Sequence, residues 1–457
     1  MGIRLDWEVE DERSQTRTMG EDPDAKKFRG RAFRRLLLTL LVLFALAACA
    51  IGVVVGRLDE VDKQFRESLI STVENEVAAL RIGDRNTFTS IQRSENAAWL
   101  QSQQQIYDAY QQIKVDANVI LSGRVLDAAI DGARARVQVE EIIDGVPYAR
   151  TWFYFRYDDG WRHVPADYTF WGAAQTLSGD SLVVSYFSYD QPFADIVNRT
   201  MSQWLQTGCA ILSCSEMAGA VTVEIVPDET IVPGWVDENA GRMALPSPFT
   251  GAARLDNLFT PEAQMQTAAL IAGRLVALAQ PAEPQPNADA AYLRQAIISW
   301  LVKRFTGQET NAFSIDSLAQ VYGEAAVGRL LLSMAPDATM GVLASAAGAS
   351  SLAEMSLDWR DLLTWRLTLE ARLIAERGDA AFLALYDTSD ALAQNLAFQR
   401  YAAGSLGETW VVTSTVREAD ANGLPLVRAT ALVRAPAGDR TVEVVFRLVD
   451  GVWKRAN

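Results

Sequence analysis

The sequence carries two similar turn signals, Asp159-Gly160-Trp161-Arg162 and Asp450-Gly451-Val452-Trp453-Lys454. Asp-Gly pairs favour tight hairpin turns because both residue types tolerate a positive φ angle. A Gly-Asp pair precedes each turn, at Gly83-Asp84 and at Gly378-Asp379. From Asp84 to Gly160 is 76 residues, and from Asp379 to Gly451 is 72. This similarity predicts an internal duplication, with a first repeat at residues 57–172 and a second repeat at 356–457.

The order of secondary-structure signals is also the same in the two repeats. Apolar residues recur every three or four positions, which predicts helices, at 61–80, 85–114, 362–373 and 389–403. The apolar period then changes to two, as in strands, at 135–139, 152–157, 410–416, 426–435 and 441–448. Each repeat is therefore expected to consist of helices followed by a curved antiparallel sheet, which is an α+β fold.

This order of elements, closed by an Asp-Gly-Trp-Arg or Asp-Gly-x-Trp-Lys turn, resembles the nuclear-transport-factor-two-like superfamily. The resemblance covers about 200 of the 457 residues. It implies a cystatin-like cone in each repeat, in which the sheet wraps around the helices and leaves an open mouth. Because the superfamily includes isomerases, dehydratases and modules without catalysis, the resemblance implies a fold and no particular reaction.

Residues 173–355 differ from the repeats and predict a separate α+β domain, with strands in its first half and helices in its second. The order resembles the catalytic region of gluzincin-type zinc metallopeptidases. Residues 268–279 stand where the HExxH helix of that family would fall, and Lys303 stands at its ligating glutamate. Such a zinc site needs two imidazoles and a carboxylate, whereas residues 261–279 contain no histidine. The resemblance therefore implies a peptidase fold without its metal.

The N-terminal region predicts a membrane anchor. Residues 36–56 (LLLTLLVLFALAACAIGVVVG) contain no charge, and about 20 apolar residues can span a bilayer as a helix. Basic residues cluster just before this stretch, at Lys26, Lys27, Arg29, Arg31, Arg34 and Arg35. Cationic flanks stay in the cytoplasm. We therefore expect a disordered cytoplasmic tail at 1–35, a single transmembrane helix at 36–56 in contact with membrane lipid, and exported domains from residue 57.

Two other readings of the same segment place the bulk of the chain outside the cytoplasm as well. Leu46-Ala47-Ala48-Cys49 matches a bacterial lipobox, in which the Cys49 thiol would be acylated. Arg34-Arg35 ahead of the apolar stretch is compatible with twin-arginine export. The remaining cysteines, Cys209 and Cys214, would then lie in an oxidising space, where we expect a disulfide if a helix end near Gly208 brings them together. Two free, buried thiols are the alternative.

Composition excludes several classes of function. The net charge of −15 and the pI near 4.7 argue against a nucleic-acid partner, which would need a basic face. The chain has one histidine, His163, so no site can use two imidazoles. The nucleophile elbow G-x-S-x-G, the Walker loop and the dinucleotide fingerprint are absent from the sequence. We therefore expect no metal and no cofactor.

A few residues are candidates for a site in the first repeat. His163 and Asp167 could act as acid or base, as in the cone-shaped isomerases and dehydratases, although a structural histidine is the more common case. Trp152, Tyr154 and Trp161 would line an apolar ligand pocket if their strand alternation faces the inside of the cone.

These observations favour a single-pass, membrane-anchored, extracytoplasmic binding or scaffold protein without catalysis. Its partner would be a small apolar ligand or another protein. One alternative is a hydrolase or isomerase that uses His163, or carboxylates gathered in a cone-shaped pocket. The other is a lipoprotein ligand carrier acylated at Cys49.

Overall fold

The structure is a computed structural model that describes residues 23–116, 119–214, 221–281, 286–404, 407–421, 423–436 and 438–457. Residues 1–22 of the predicted tail lie outside this range. The chain forms two compact units. The first contains residues up to Gln112 together with 123–135 and 154–164, and the second contains 113–122, 136–153 and 165–457. The predicted α+β class is confirmed, since helices and sheets are segregated along the chain.

The first helix is much longer than predicted. Helix α1 (Pro23–Ile82) is 60 residues long, so residues 23–35 of the predicted tail are helical. In the described part of the chain, no helix combines the length and the apolar character that a bilayer crossing requires. The predicted transmembrane helix at 36–56, the single-pass membrane location and the derived topology are therefore wrong. That prediction relied on the uncharged stretch alone, whereas the stretch is the middle part of α1.

Two shorter helices follow α1, namely α2 (Arg85–Ile91) and α3 (Ala97–Asp116). The sequence predicts one helix over 85–114, but the helix is interrupted at 92–96. The interruption has a physical reason, because Gln92 forms a parallel β-bridge with His163 and the amide of Arg93 donates to the His163 carbonyl at 2.9 Å. Backbone groups used in this bridge are not available to a continuous helix.

Four strands complete the first repeat: β1 (Val119–Asp131), β2 (Arg134–Ile143), β3 (Val146–Tyr157) and β4 (Gly160–Val164). Strand β4 pairs with β3. The turn between them contains Gly160, whose φ of 112° suits glycine.

The middle of the chain contains a sheet of five strands: β5 (Ala174–Ser178), β6 (Leu182–Phe187), β7 (Val221–Val226), β8 (Gly234–Asp237) and β9 (Arg242–Pro246). The strand order is β5-β6-β7-β9-β8. Strands β6, β7 and β9 are parallel, and only the two edge strands are antiparallel. Helix α4 (Gln191–Leu212) connects β6 to β7 as the crossover that two parallel neighbours require.

A short strand and five helices follow this sheet: β10 (Ala252–Arg254), α5 (Pro261–Ala279), α6 (Ala288–Thr306), α7 (Phe313–Tyr322), α8 (Ala325–Ser333) and α9 (Val342–Ala347). Strand β10 pairs with residues 148–150 of β3. Helices α4, α5 and α6 contribute Met201, Ile271 and Ile297 to the main core of the second unit, and each of these side chains is fully buried.

The second repeat has the same order of elements as the first: α10 (Arg360–Glu376), α11 (Asp379–Leu383), α12 (Ala391–Ala403), β11 (Thr409–Ala419), β12 (Pro425–Arg434), β13 (Arg440–Val449) and β14 (Val452–Arg455). Its strands form an antiparallel sheet in chain order. At the final turn, Asp450 and Gly451 both have positive φ angles, of 53° and 75°, as a tight hairpin requires.

Candidate functional site

The histidine singled out in the sequence belongs to a buried polar network in the first unit. His163 is 8% exposed, and its Nδ1 lies 2.7 Å from Oε1 of Glu76, which is 1% exposed. The Gln92 amide donates to Oε1 at 2.8 Å, and the Tyr154 hydroxyl donates to Oε2 at 2.7 Å. A carboxylate that accepts from this many donors is well compensated for its burial. Because an ionised carboxylate cannot donate, the geometry assigns a proton to Nδ1 of His163.

Aromatic rings enclose the imidazole of this network. The ring centroid of Tyr154 lies 5.1 Å from that of His163, and Trp99 approaches edge-on at 5.7 Å. Burial, followed by the negative charge of Glu76, raises the pKa of Tyr154 well above its ordinary value. Tyr154 therefore stays protonated and acts as a hydrogen-bond donor. In many general bases a carboxylate orients the imidazole that takes the proton. Glu76 and His163 have this arrangement, but both side chains are buried.

The second repeat has a carboxylate at the equivalent position. Glu370 precedes Tyr386 by 16 residues, as Glu76 precedes Gln92. Tyr386 forms a parallel β-bridge with Arg455, as Gln92 does with His163. Arg455 contacts the two Glu370 oxygens through one guanidinium nitrogen at 3.0 and 2.8 Å.

The two equivalent carboxylates differ in the charge of their partners. Glu370 is 3% exposed and also accepts from the Arg400 Nε at 2.7 Å, so it faces two guanidinium groups. Glu76 has an imidazole, a phenol and an amide instead. Glu76 was not predicted from the sequence. It could have been recognised as the acidic residue on the face of α1 that contains the buried Val73 and Val77. The equal 16-residue spacing is a second signal.

The other candidate residues of the first repeat do not join this network. Trp161 is 1% exposed, and its indole N–H has no hydrogen-bond partner. Trp152 is half-buried in the second unit. Asp167, also in the second unit, accepts from the amide of Thr169 at 3.1 Å and caps a short turn. Among the candidates, Tyr154 and His163 lie against each other as buried rings.

Cys209 and Cys214 form a disulfide with a Cα–Cα distance of 4.7 Å. The helix does not end near Gly208 as expected. It continues to Leu212, and Ser213 adopts the left-handed conformation with a φ of 58°. This reversal returns the chain to Cys209, whose carbonyl accepts from the Cys214 amide at 3.2 Å. Cys49 is an exposed free cysteine on α1.

Lys303, which stands where the zinc-ligating glutamate was expected, forms two ion pairs. Its ammonium group contacts Glu309 at 2.9 Å and Asp316 at 3.0 Å, and therefore stabilises the α6–α7 connection. Across the part of the chain that the structure describes, no three His, Cys, Asp or Glu side chains are grouped so that they could hold a metal ion.

A cavity in the second unit offers a different kind of site. It has a volume of about 450 Å³ and lies where α5 and α8 end and α6 begins. Its lining is mostly apolar and includes Pro281, Leu332 and Met334. Its polar lining side chains include Arg294 and Gln280. We call this space the Arg294 cavity.

Arg294 has no ionic partner among the described residues. Burial lowers the pKa of its guanidinium group, with no carboxylate to offset the effect. Among the described residues, the side-chain oxygen of Gln280 is buried without a hydrogen-bond partner, while its amide nitrogen donates to the Met334 carbonyl. Unpaired buried polar groups are costly and uncommon. Both groups are therefore available to a ligand in the cavity.

The sequence could not predict this cavity, because it is formed by three segments that are far apart in the chain, around residues 280, 294 and 334. Comparison with known proteins gives no match, whether to a family model, a curated protein or a solved structure.

Proposed function

We propose that this chain is a binding protein without catalytic activity, and that the Arg294 cavity holds a small molecule with a carboxylate group and an apolar body. The proposal depends on the guanidinium group of Arg294, which lines a mostly apolar cavity and has no ionic partner among the residues that the structure describes. A volume of about 450 Å³ is in the usual range for small-molecule sites.

The two sides of the cavity suit the two parts of such a ligand. A carboxylate can accept two parallel hydrogen bonds from a guanidinium group, which is a strong and directional contact. The apolar chain of the ligand would contact Leu332, which is 59% exposed in the structure, and Met334. A ligand N–H or O–H group would satisfy the buried oxygen of Gln280.

Hexanoate is a suitable first probe, and hexanamide is its uncharged control. We expect hexanoate to raise the thermal unfolding midpoint of the full-length protein, because a ligand that binds only the folded state stabilises it by mass action. Hexanamide should have little effect. Arg294→Leu should weaken hexanoate binding by about 10- to 100-fold, since it removes a charge-assisted contact.

Arg304→Leu is the matched control for this experiment. Arg304 lies on the same helix, is exposed, and pairs with Glu324 at 2.7 Å. This variant should bind hexanoate like the wild type. Equal stabilisation by hexanamide, or unchanged binding in Arg294→Leu, would contradict the proposed function.

The second candidate function is a hydrolase or isomerase that uses His163. One observation favours it, namely the 2.7 Å contact that orients the imidazole towards Glu76. Diethylpyrocarbonate modification tests it well, because His163 is the only histidine in the chain. We expect slow modification of the native protein and fast modification after unfolding, since the side chain is 10% exposed. Fast modification of the native protein would favour the catalytic role instead.

We also infer that the two repeats are nuclear-transport-factor-two-like modules around a middle domain derived from a peptidase fold. The equal order of three helices and four strands supports the first part. The second part is supported by the succession of parallel strands and helices in residues 173–355. Experimental structures of the full chain would test both, through comparison of the sheet curvature in the two repeats.

A further inference from the structure

A second cavity in the second unit has different chemistry. It has a volume of about 280 Å³ and lies between α6, α7, α10 and the edge strand β11. Its lining includes Tyr292, Gln295, Arg360, Asp361 and Trp365. We call this space the Asp361 cavity.

Asp361 is 9% exposed and forms no ion pair with the part of the chain that the structure describes. Its carboxylate accepts from the amide and the hydroxyl of Ser314 at 3.0 and 2.8 Å, and from the amide of Leu362 at 2.9 Å. These donors are neutral, so among the described residues no cation is hydrogen-bonded to the carboxylate. Arg360, the preceding residue, acts on it only through its charge at a distance. Burial raises the pKa of Asp361 to about 6.

The nearest cation in the lining is already committed. The guanidinium group of Arg360 contacts the Asp358 carboxylate at 2.7 and 3.0 Å, and lies 3.9 Å from the ring centroid of Phe313. Arg360 therefore does not neutralise Asp361 by a direct contact.

Tyr292 supplies an independent observation. Its hydroxyl is buried beside Asp361 and Ser314, and it forms no hydrogen bond of ordinary geometry with the described residues. Its ring stacks on Trp365 with a centroid distance of 4.6 Å. Burial, followed by the charge of Asp361, raises the pKa of Tyr292, so the hydroxyl remains protonated.

We propose that the Asp361 cavity binds an ammonium group carried on a small apolar body. An ammonium group has three N–H donors, which can reach the Asp361 carboxylate and the hydroxyl oxygen of Tyr292. It also supplies the positive charge that the buried carboxylate lacks. The Tyr292–Trp365 pair provides an aromatic surface for the apolar body. This site is independent of the Arg294 cavity, because it uses different residues and selects the opposite charge.

Benzylamine is the probe for this site, and benzyl alcohol is its neutral counterpart of similar shape. We expect benzylamine to raise the thermal unfolding midpoint of the full-length protein at neutral pH, where Asp361 is ionised. Benzyl alcohol should raise it much less. Asp361→Asn should weaken benzylamine binding at least 10-fold. Equal effects of the two probes on the wild type would overturn the proposal.

Two further variants keep the test decisive. Asp361→Asn can fail to fold, because the carboxylate holds the start of α7. Gln295→Lys changes an exposed lining residue and places an ammonium group of the chain at the cavity, so it should weaken benzylamine binding at least 10-fold. Asp316→Asn changes a carboxylate on α7 that pairs with Lys303, and should bind benzylamine like the wild type. Unchanged binding in Gln295→Lys, or equal weakening in Asp316→Asn, would overturn the proposal.

The two binding proposals can fail separately. Gln295→Lys should leave hexanoate binding unchanged, and Arg294→Leu should leave benzylamine binding unchanged. If hexanoate does not bind while benzylamine binds as described, only the Arg294 cavity is wrong as a site.

Discussion

At the scale of single residues, the main finding is a pair of equivalent buried carboxylates with different partners. Glu370 contacts two guanidinium groups, whereas Glu76 contacts an imidazole, a phenol and an amide. A buried ion pair that loses one partner leaves an uncompensated charge, which is far more costly than the loss of a neutral hydrogen bond. The same backbone position therefore holds a carboxylate paired with guanidinium groups in the second repeat, and a carboxylate without a guanidinium contact among its described partners in the first.

This difference predicts unequal effects of the same substitution. Glu370→Gln leaves the buried Arg455 without its counter-charge, and should lower the free energy of unfolding by about 3–5 kcal/mol. Glu76→Gln keeps an oxygen that accepts from neutral donors, and should cost about 1–2 kcal/mol. Urea unfolding of the two variants measures both values. Equal losses would show that the partners of the two carboxylates are not the ones described.

Single residues were also the hardest level to predict from the sequence. His163 was identified because it is unique in the chain, and Tyr154 because it alternates with other aromatic residues. Glu76 was not identified, since an acidic residue in a helix is ordinarily solvent-exposed. The Asp361 and Arg294 sites depend on which charged groups lack a partner after folding, and this property is not visible in the sequence.

At the scale of elements, the start of α4 shows how a buried carboxylate connects distant segments. Asp190, at the N-terminal end of α4, is fully buried. It accepts from the indole N–H of Trp171 at 2.8 Å and from the Ser247 hydroxyl at 2.5 Å. Burial raises its pKa to about 6, although these hydrogen bonds act in the opposite direction.

The raised pKa of Asp190 predicts a pH dependence. The carboxyl group of Asp190 binds its proton more tightly in the folded state than in the unfolded state. The contribution of Asp190 to the free energy of unfolding is therefore fully present below about pH 4 and is lost as the pH rises through about 6. The difference in unfolding free energy between wild type and Asp190→Asn should therefore shift against the wild type by on the order of 3 kcal/mol between pH 4 and pH 7. Chemical denaturation at both pH values measures this shift. A difference that does not change with pH would contradict the raised pKa.

Long periodic elements were predicted more accurately than short ones. Strands β12 and β13 each differ from the predicted range by one residue at both ends. The short strands β5, β8 and β10 were not predicted, because three to five residues are too few for a recognisable period. The uncharged stretch at 36–56 indicated a helix correctly, but the inferred membrane span was wrong.

At the scale of the whole molecule, two repeats of equal element order flank a middle domain in the sequence. The similar turns and spacings predicted this shared order of elements. They did not indicate a ligand, because the cavities are formed by the middle domain and, for the Asp361 cavity, by the second repeat as well. The sole histidine is buried in its network, while Arg294 and Asp361, which form no ion pair with the described residues, line two cavities. These features together favour binding over catalysis.

The central claim is that Arg294 holds a carboxylate in its cavity, and calorimetric titration with hexanoate tests it most directly. The full-length wild type and Arg294→Leu are titrated in the same buffer. We predict one saturable site per chain in the wild type and its loss in the variant. Absence of saturable binding to the wild type, or identical binding to both proteins, would contradict the account.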